Sequence, residues 1–123
     1  MKVFTPDNSP WDAKVNYVDK NNRVLGYSMS KSCCESFGHC VLAELPASEG
    51  APDDNALSSP VLEPYLFTPE APTLLSLNDA DKGGGLAFRI VADGLSDLWV
   101  VIWNFHNGYY SHGWEFDGKE GSL

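Results

Sequence analysis

All three cysteines and all three histidines of this chain fall in two short segments. One is Ser32-Cys33-Cys34-Glu35-Ser36-Phe37-Gly38-His39-Cys40. The other is Trp103-Asn104-Phe105-His106-Asn107-Gly108-Tyr109-Tyr110-Ser111-His112-Gly113-Trp114, where five aromatics and two asparagines surround an Asn-Gly turn signal. A thiol beside an imidazole is the starting point of nucleophilic catalysis, because the base takes the thiol proton and a third group orients the base. Ser32 followed three residues later by Glu35 matches the capping-box pattern, which predicts a short helical turn from Cys33 to Phe37 with Cys34 at its second position. There the unpaired amides and the helix dipole favour a thiolate and are placed to hold an oxyanion. The candidate catalytic set is therefore Cys34, Glu35, His106 and His112, with His39 as an alternative base. Asn104, Asn107, Tyr109 and Tyr110 are the candidate binding residues at the turn, and either asparagine is also an orienting group for an imidazole.

Opposing effects weigh against catalysis. Gly38 limits the helix to about one turn, so its dipole stabilises a thiolate by only roughly 0.3–1 kcal/mol. Cys33, Cys34 and Cys40 adjoin Phe37, Val41 and Leu42, and burial among apolar side chains raises a thiol pKa. Desolvation is expected to win, leaving the cysteines as small buried hydrophobes. Zinc needs three or four Cys, His or carboxylate ligands, and neither a C-x-x-C nor an H-x-x-x-H pair occurs. Asp79-Ala80-Asp81 has the acid spacing that opens a calcium loop, but the twelfth position is Ile90, where a bidentate Glu is required. Gly83-Gly84-Gly85 lacks the following Lys-Ser or Lys-Thr of a phosphate loop. No metal and no cofactor are expected.

With 123 residues, the chain is expected to form a single domain over 1–123, large enough for a core of its own. Hydrophobic residues make up 43% and aromatics 12%, a composition that favours folding over disorder. The net charge of −9, with eight Lys and Arg in all, argues against direct binding to nucleic acid, which requires clustered cations. The acids are dispersed, with Asp53-Asp54 their one adjacent pair, so a solvated acidic surface is favoured over a nucleic-acid decoy. The longest apolar run, Leu98 to Trp103, is too short to span a bilayer, and Met1 to Asp7 lacks the apolar stretch of a secretory signal. A cytoplasmic protein with reduced thiols and no membrane contact is expected.

These segments need elements to position them. Lys14 to Val18 and Arg23 to Tyr27 are β-prone runs around Asp19-Lys20-Asn21-Asn22, which predicts an N-terminal β-hairpin. His39 to Leu45 can continue as a strand. From 46 to 85 the composition turns to Pro, Ser, Asp and Gly, predicting a long covering loop anchored by two apolar islands, Val61 to Phe67 and Leu74 to Leu77. Leu86 to Ala92, Leu98 to Phe105 and Tyr110 to Phe116 predict a C-terminal three-strand antiparallel meander. A two-residue type I′ turn at Asn107-Gly108 would pair Phe105 with Tyr110, Trp103 with His112, Val101 with Trp114 and Trp99 with Phe116. Trp99, Trp103, Phe105, Tyr110, Trp114 and Phe116 would then bury one face together with His112, and His106 would point to the other. A three-residue loop with a bulge would shift this parity. The expected fold class is α+β, mainly β, with hairpin and meander in one antiparallel sheet.

The hairpin Val-Asn-Tyr-Val-Asp-Lys-Asn-Asn-Arg-Val-Leu-Gly-Tyr, the Cys33-Cys34-Glu35-Ser36-Phe37-Gly38 element and the closing His106-Asn107-Gly108-Tyr109-Tyr110-Ser111-His112-Gly113 together resemble a small family of bacterial and phage proteins of unknown function. The resemblance covers roughly residues 14 to 40 and 98 to 116. It implies that the two ends act together and that the chain is a phage or mobile-element accessory protein. Small size, acidity and the incomplete catalytic motif favour non-covalent binding to a host or phage protein, as an inhibitor for example. The competing expectation is a thiol-dependent or metal-assisted enzyme with its site between the Cys33 to Cys40 segment and the 104–112 turn.

Overall fold

The computed structural model describes residues 1–5, 14–29, 36–45, 56–58, 60–75, 82–106 and 113–123, with backbone alone at 36, 82, 83, 105 and 106. Among the described residues there are ten strands and no helix: β1 (Lys2–Phe4), β2 (Lys14–Val18), β3 (Val24–Ser28), β4 (Ser36–Leu42), β5 (Leu66–Phe67), β6 (Thr73–Leu75), β7 (Lys82–Val91), β8 (Leu98–His106), β9 (Gly113–Phe116) and β10 (Lys119–Ser122). Every pairing is antiparallel. One sheet runs β1-β2-β3-β9-β10 and the other β4-β8-β7-β5, with β6 also on β7.

Alternation along the strands explains why the sheets stack. Val15 and Tyr17 of β2, Leu25 and Tyr27 of β3 and Phe116 of β9 form one wall of the core; Val41, Leu86, Phe88, Ile90, Leu98, Val100 and Ile102 form the other. At its centre, Phe116 packs on Phe67 and Phe88, each at 4.9 Å between ring centroids, and Trp114 lies edge-on to Phe88. The Tyr27 hydroxyl crosses between sheets and donates to the Trp103 carbonyl at 2.7 Å.

The outward residues of the second sheet are buried as well. Cys40, Leu42, Ala87, Val101 and Trp103 form a second cluster under Leu75, with Leu45 and Trp99 packed against it. Burial on both faces accounts for the unbroken apolar run of β8, which a half-solvated strand would not carry. Trp103 lies across Gly38 of β4, where a Cβ would meet its ring at 2.7 Å.

The N-terminal hairpin, strand pairing between β7 and β8 and a mainly antiparallel β architecture agree with expectation. The single sheet and the meander do not. β8 pairs with β4 on one side and β7 on the other, so Trp99 faces Leu42 and Arg89, and Trp103 faces Gly38 and Gly85. With both its edges taken, β8 has no ladder left for β9, which pairs with β3 through Leu25↔Phe116 and Tyr27↔Trp114. Trp99 and Trp103 share a face as expected, but that face is the outer layer, while Trp114 and Phe116 belong to the other sheet. The expected partners Tyr110 and His112, and Asn107-Gly108 itself, lie outside the described residues. So do Cys33, Cys34 and Glu35. Ser36 and Phe37, assigned to the end of a helical turn, already belong to β4, because each has a ladder partner in β8. Within 46–85, β5 and β6 are short strands, and β7 begins at Lys82. The apolar islands do anchor the region: Leu62, Tyr65 and Phe67 enter the inner core and Leu75 the outer cluster.

The sheets are also tied at one end by charge. Asp19, buried at the β2–β3 turn, accepts from the Asn21 and Arg23 amides through Oδ1, both at 2.9 Å, and from the Phe67 amide through Oδ2 at 3.1 Å. Arg23 returns the contact, donating Nη1 to the Phe67 and Thr68 carbonyls at 3.0 and 2.8 Å. Its Nε and Nη2 reach Asp117 Oδ2 at 2.9 and 2.8 Å, and its Cζ sits 5.0 Å from the Phe116 ring centroid. Asp19→Ala strands three amides, two of them in the turn and one across the sandwich, and should lower the unfolding free energy by about 3 kcal/mol. Asp117→Asn, which tolerates the left-handed turn backbone, removes the charge of a half-exposed pair and should cost less than about 1 kcal/mol. Urea unfolding of both variants checks this, and equal midpoints for the two would contradict it.

Candidate functional site

The two segments with chemical potential are neighbours in the ladder. Ser36 lies opposite Phe105, Phe37 opposite Asn104 and Gly38 opposite Trp103, and Lys82 lies opposite His106 on the other side of β8. The beginning of β4 and the end of β8 therefore share one end of the second sheet. Of the eight candidate residues, Cys34, Glu35, Asn107, Tyr109, Tyr110 and His112 lie outside the described residues. His106 is placed by its backbone alone, as the last residue of β8.

Asn104 is a core residue. It follows Val100 and Ile102 on the inward face of β8 and is fully buried. Its Nδ2 donates to the Leu123 backbone oxygen at 3.0 Å, while Oδ1 is buried without a hydrogen-bond partner. Such an acceptor forgoes the hydrogen bonds it would make in water. The indole Nε1 of neighbouring Trp103 is likewise buried and unpartnered.

His39, the alternative base, is held in an inter-sheet pair that the sequence did not reveal. Tyr17 Oη and His39 Nδ1 are 2.5 Å apart, and the rings meet edge to face at 5.6 Å and 78°. Burial, with the Cys40 thiol nearby, pushes the Tyr17 pKa well up, and burial pushes that of His39 down. Both are therefore neutral near pH 7, and Nδ1 is engaged with the phenol in either tautomer of the ring. The contact ties β2 of one sheet to β4 of the other through the His39 ring. The residues are 22 apart in sequence, and no local pattern announces such a pair. Cys40, next in the chain, projects to the opposite face and is buried in the outer cluster, as expected of a packing thiol. Among the described residues no three His, Cys, Asp or Glu side chains converge on a metal position.

A hollow of about 350 Å³ opens beside β1, lined by Met1, Lys2, Phe4, Val18, Asp19, Lys20, Asn22 and Glu63. The Met1 amino group donates to the Leu62 and Glu63 carbonyls, both at 2.7 Å, and so fixes one wall. Phe4 remains 54% exposed at the opening. β1 is the edge of its sheet, and among the described residues nothing pairs with its outer side. No helix among the described residues is long and apolar enough to cross a membrane.

No family model, curated protein or solved structure matches the chain. Its chemistry is read from its own residues.

The His39 pKa lies below its ordinary value of about 6.5 in the folded state. The unfolded chain therefore takes up this proton first as pH falls. The stability linked to His39 is intact well above pH 6.5 and is lost as pH drops from about 6.5 toward the folded pKa, by at most about 1.4 kcal/mol per pH unit. Urea midpoints of the wild type and His39→Gln at pH 7.5 and 5.5 check the sign. The wild type should lose more stability on acidification; equal losses would contradict the assignment.

Proposed function

We propose that this chain is a small acidic accessory protein, of phage or mobile-element origin, that acts by non-covalent binding to a host or phage protein, as an inhibitor for example. The observation that carries the reading is the hollow beside β1, a concave and partly apolar opening next to a strand edge with no partner among the described residues. Open edges are templates for another chain, and concave apolar openings accept side chains. A net charge of −9 adds long-range steering toward a basic partner surface. The origin rests on the resemblance of residues 14–40 and 98–116 to bacterial and phage proteins.

A competing reading draws on one observation. Ser36 pairs with Phe105, which supports a thiol-dependent or metal-assisted enzyme built from Cys34, Glu35, His106 and His112.

Two measurements on the full chain separate these readings. Affinity capture from a bacterial lysate should retain one partner in stoichiometric amount, and iodoacetamide near neutral pH should label Cys34 no faster than Cys33 or Cys40. Rapid labelling of Cys34 that is lost in His106→Ala or His112→Ala, with no protein captured, would replace the binding reading by the enzymatic one.

A further inference from the structure

The hollow beside β1 also carries information about what occupies it. The pairs Lys2↔Val18, Val3↔Tyr17 and Phe4↔Asn16 set the faces of β1. Tyr17 points into the inter-sheet core, so Val3 shares its side, whereas Lys2 and Phe4 share the opposite side with Val18 and Asn16. The hollow is lined by Lys2, Phe4 and Val18 from that outer side, and Lys20 of the β2–β3 turn stands at its rim. Apolar side chains of β1 and β2 and two exposed ammonium groups, one on β1 and one on the β2–β3 turn, thus line the same hollow.

Charge at this opening runs against the rest of the chain. Two of the eight Lys and Arg residues are exposed here in a chain of net charge −9. Of the two acids that line the hollow, Asp19 is buried, with both carboxylate oxygens accepting from amides, and Glu63 alone is exposed. Both lysines lie close enough to the Met1 amino group to lower its pKa, after the effect of burial. The end strands β10 and β4 are guarded or engaged. β10 carries exposed Lys119 and Glu120, and the Val41 carbonyl of β4 accepts from the Leu57 amide at 2.9 Å. β1 instead presents exposed Val3 and Phe4.

Resting on the protein-binding reading above, we propose that an extended segment of the partner adds as a strand along β1, seating an apolar side chain against Phe4 and Val18 and a carboxylate, two residues away, against Lys2 and Lys20. The spacing of two follows from the strand period, since only alternate side chains of the added segment face the hollow. The acidic motif must be short, because lysine attraction acts within a Debye length of about 8 Å while the chain as a whole repels anions.

The test uses isotope-labelled full chain and two blocked peptides, Thr-Leu-Thr-Glu-Thr-Val-Thr and the same peptide with Lys replacing Glu. The Glu peptide should shift the amides of Lys2 to Phe4, Val18 and Lys20 to Asn22 in a saturable way. Its Kd should rise at least tenfold in Lys2→Glu/Lys20→Glu, and Phe4→Asp should abolish the shifts while leaving the remaining spectrum folded. The Lys peptide binding equally well, shifts that map elsewhere, or no binding of either peptide at millimolar concentration would each overturn the proposal. So would concentration-dependent shifts of the chain alone that Phe4→Asp removes, since the occupant would then be a second copy. A partner captured from lysate as well by Phe4→Asp as by the wild type would leave the binding function standing and remove only this site; no capture by either would remove the function itself.

Discussion

The buried carboxylate of Asp19 is the point on which this architecture turns. A charge at 4% exposure is tolerated only when its lone pairs are filled, and Asp19 fills them with amides from its own turn and from β5 on the opposite sheet. Arg23, four residues on, donates back to the same β5 segment and to Asp117 of the β9–β10 turn. Three turns and strands that are far apart in sequence are thereby fixed in one place. The aromatic centre follows, because Phe67 and Phe116, which flank these polar contacts, are the rings that meet Phe88 between the sheets.

β8 is the second constraint. It is covered on both faces and paired on both edges, so it behaves as a central core strand and not as the middle of a half-exposed meander. That position explains why Gly38 lies beneath Trp103 and why Asn104 is drawn into the interior, where its side chain secures Leu123. It also brings the start of β4 beside the end of β8, joining two segments that are some 70 residues apart in the chain.

Local features were legible in the sequence. The β2–β3 hairpin, the β7–β8 pair and a strand over His39 to Leu42 each follow from alternation or turn residues within a short window. Asp117-Gly118 carries the same kind of local signal: both residues have positive φ, 54° and 82°, and they join Phe116 to Lys119 as a two-residue hairpin. Sheet membership was not legible. Trp114 and Phe116 suit a place beside β8 or beside β3 equally well by period, and the competition is settled by which edges other strands have taken. The Tyr17–His39 pair, the burial of Asn104 and the role of Asp19 depend on contacts between sheets, which no periodic pattern encodes. Of the candidate site, the pairing of β4 with β8 and the engagement of His39 by Tyr17 both depend on contacts distant in sequence.

The central claim is that β9 belongs with β3 in a sheet separate from β8. Backbone nuclear Overhauser effects test it most directly. Cross-strand contacts are predicted between Gly26 and Glu115, and between Ile102 and both His39 and Leu86. Contacts of Val101 with Trp114 and of Trp99 with Phe116, the register of a continuous meander, would contradict it.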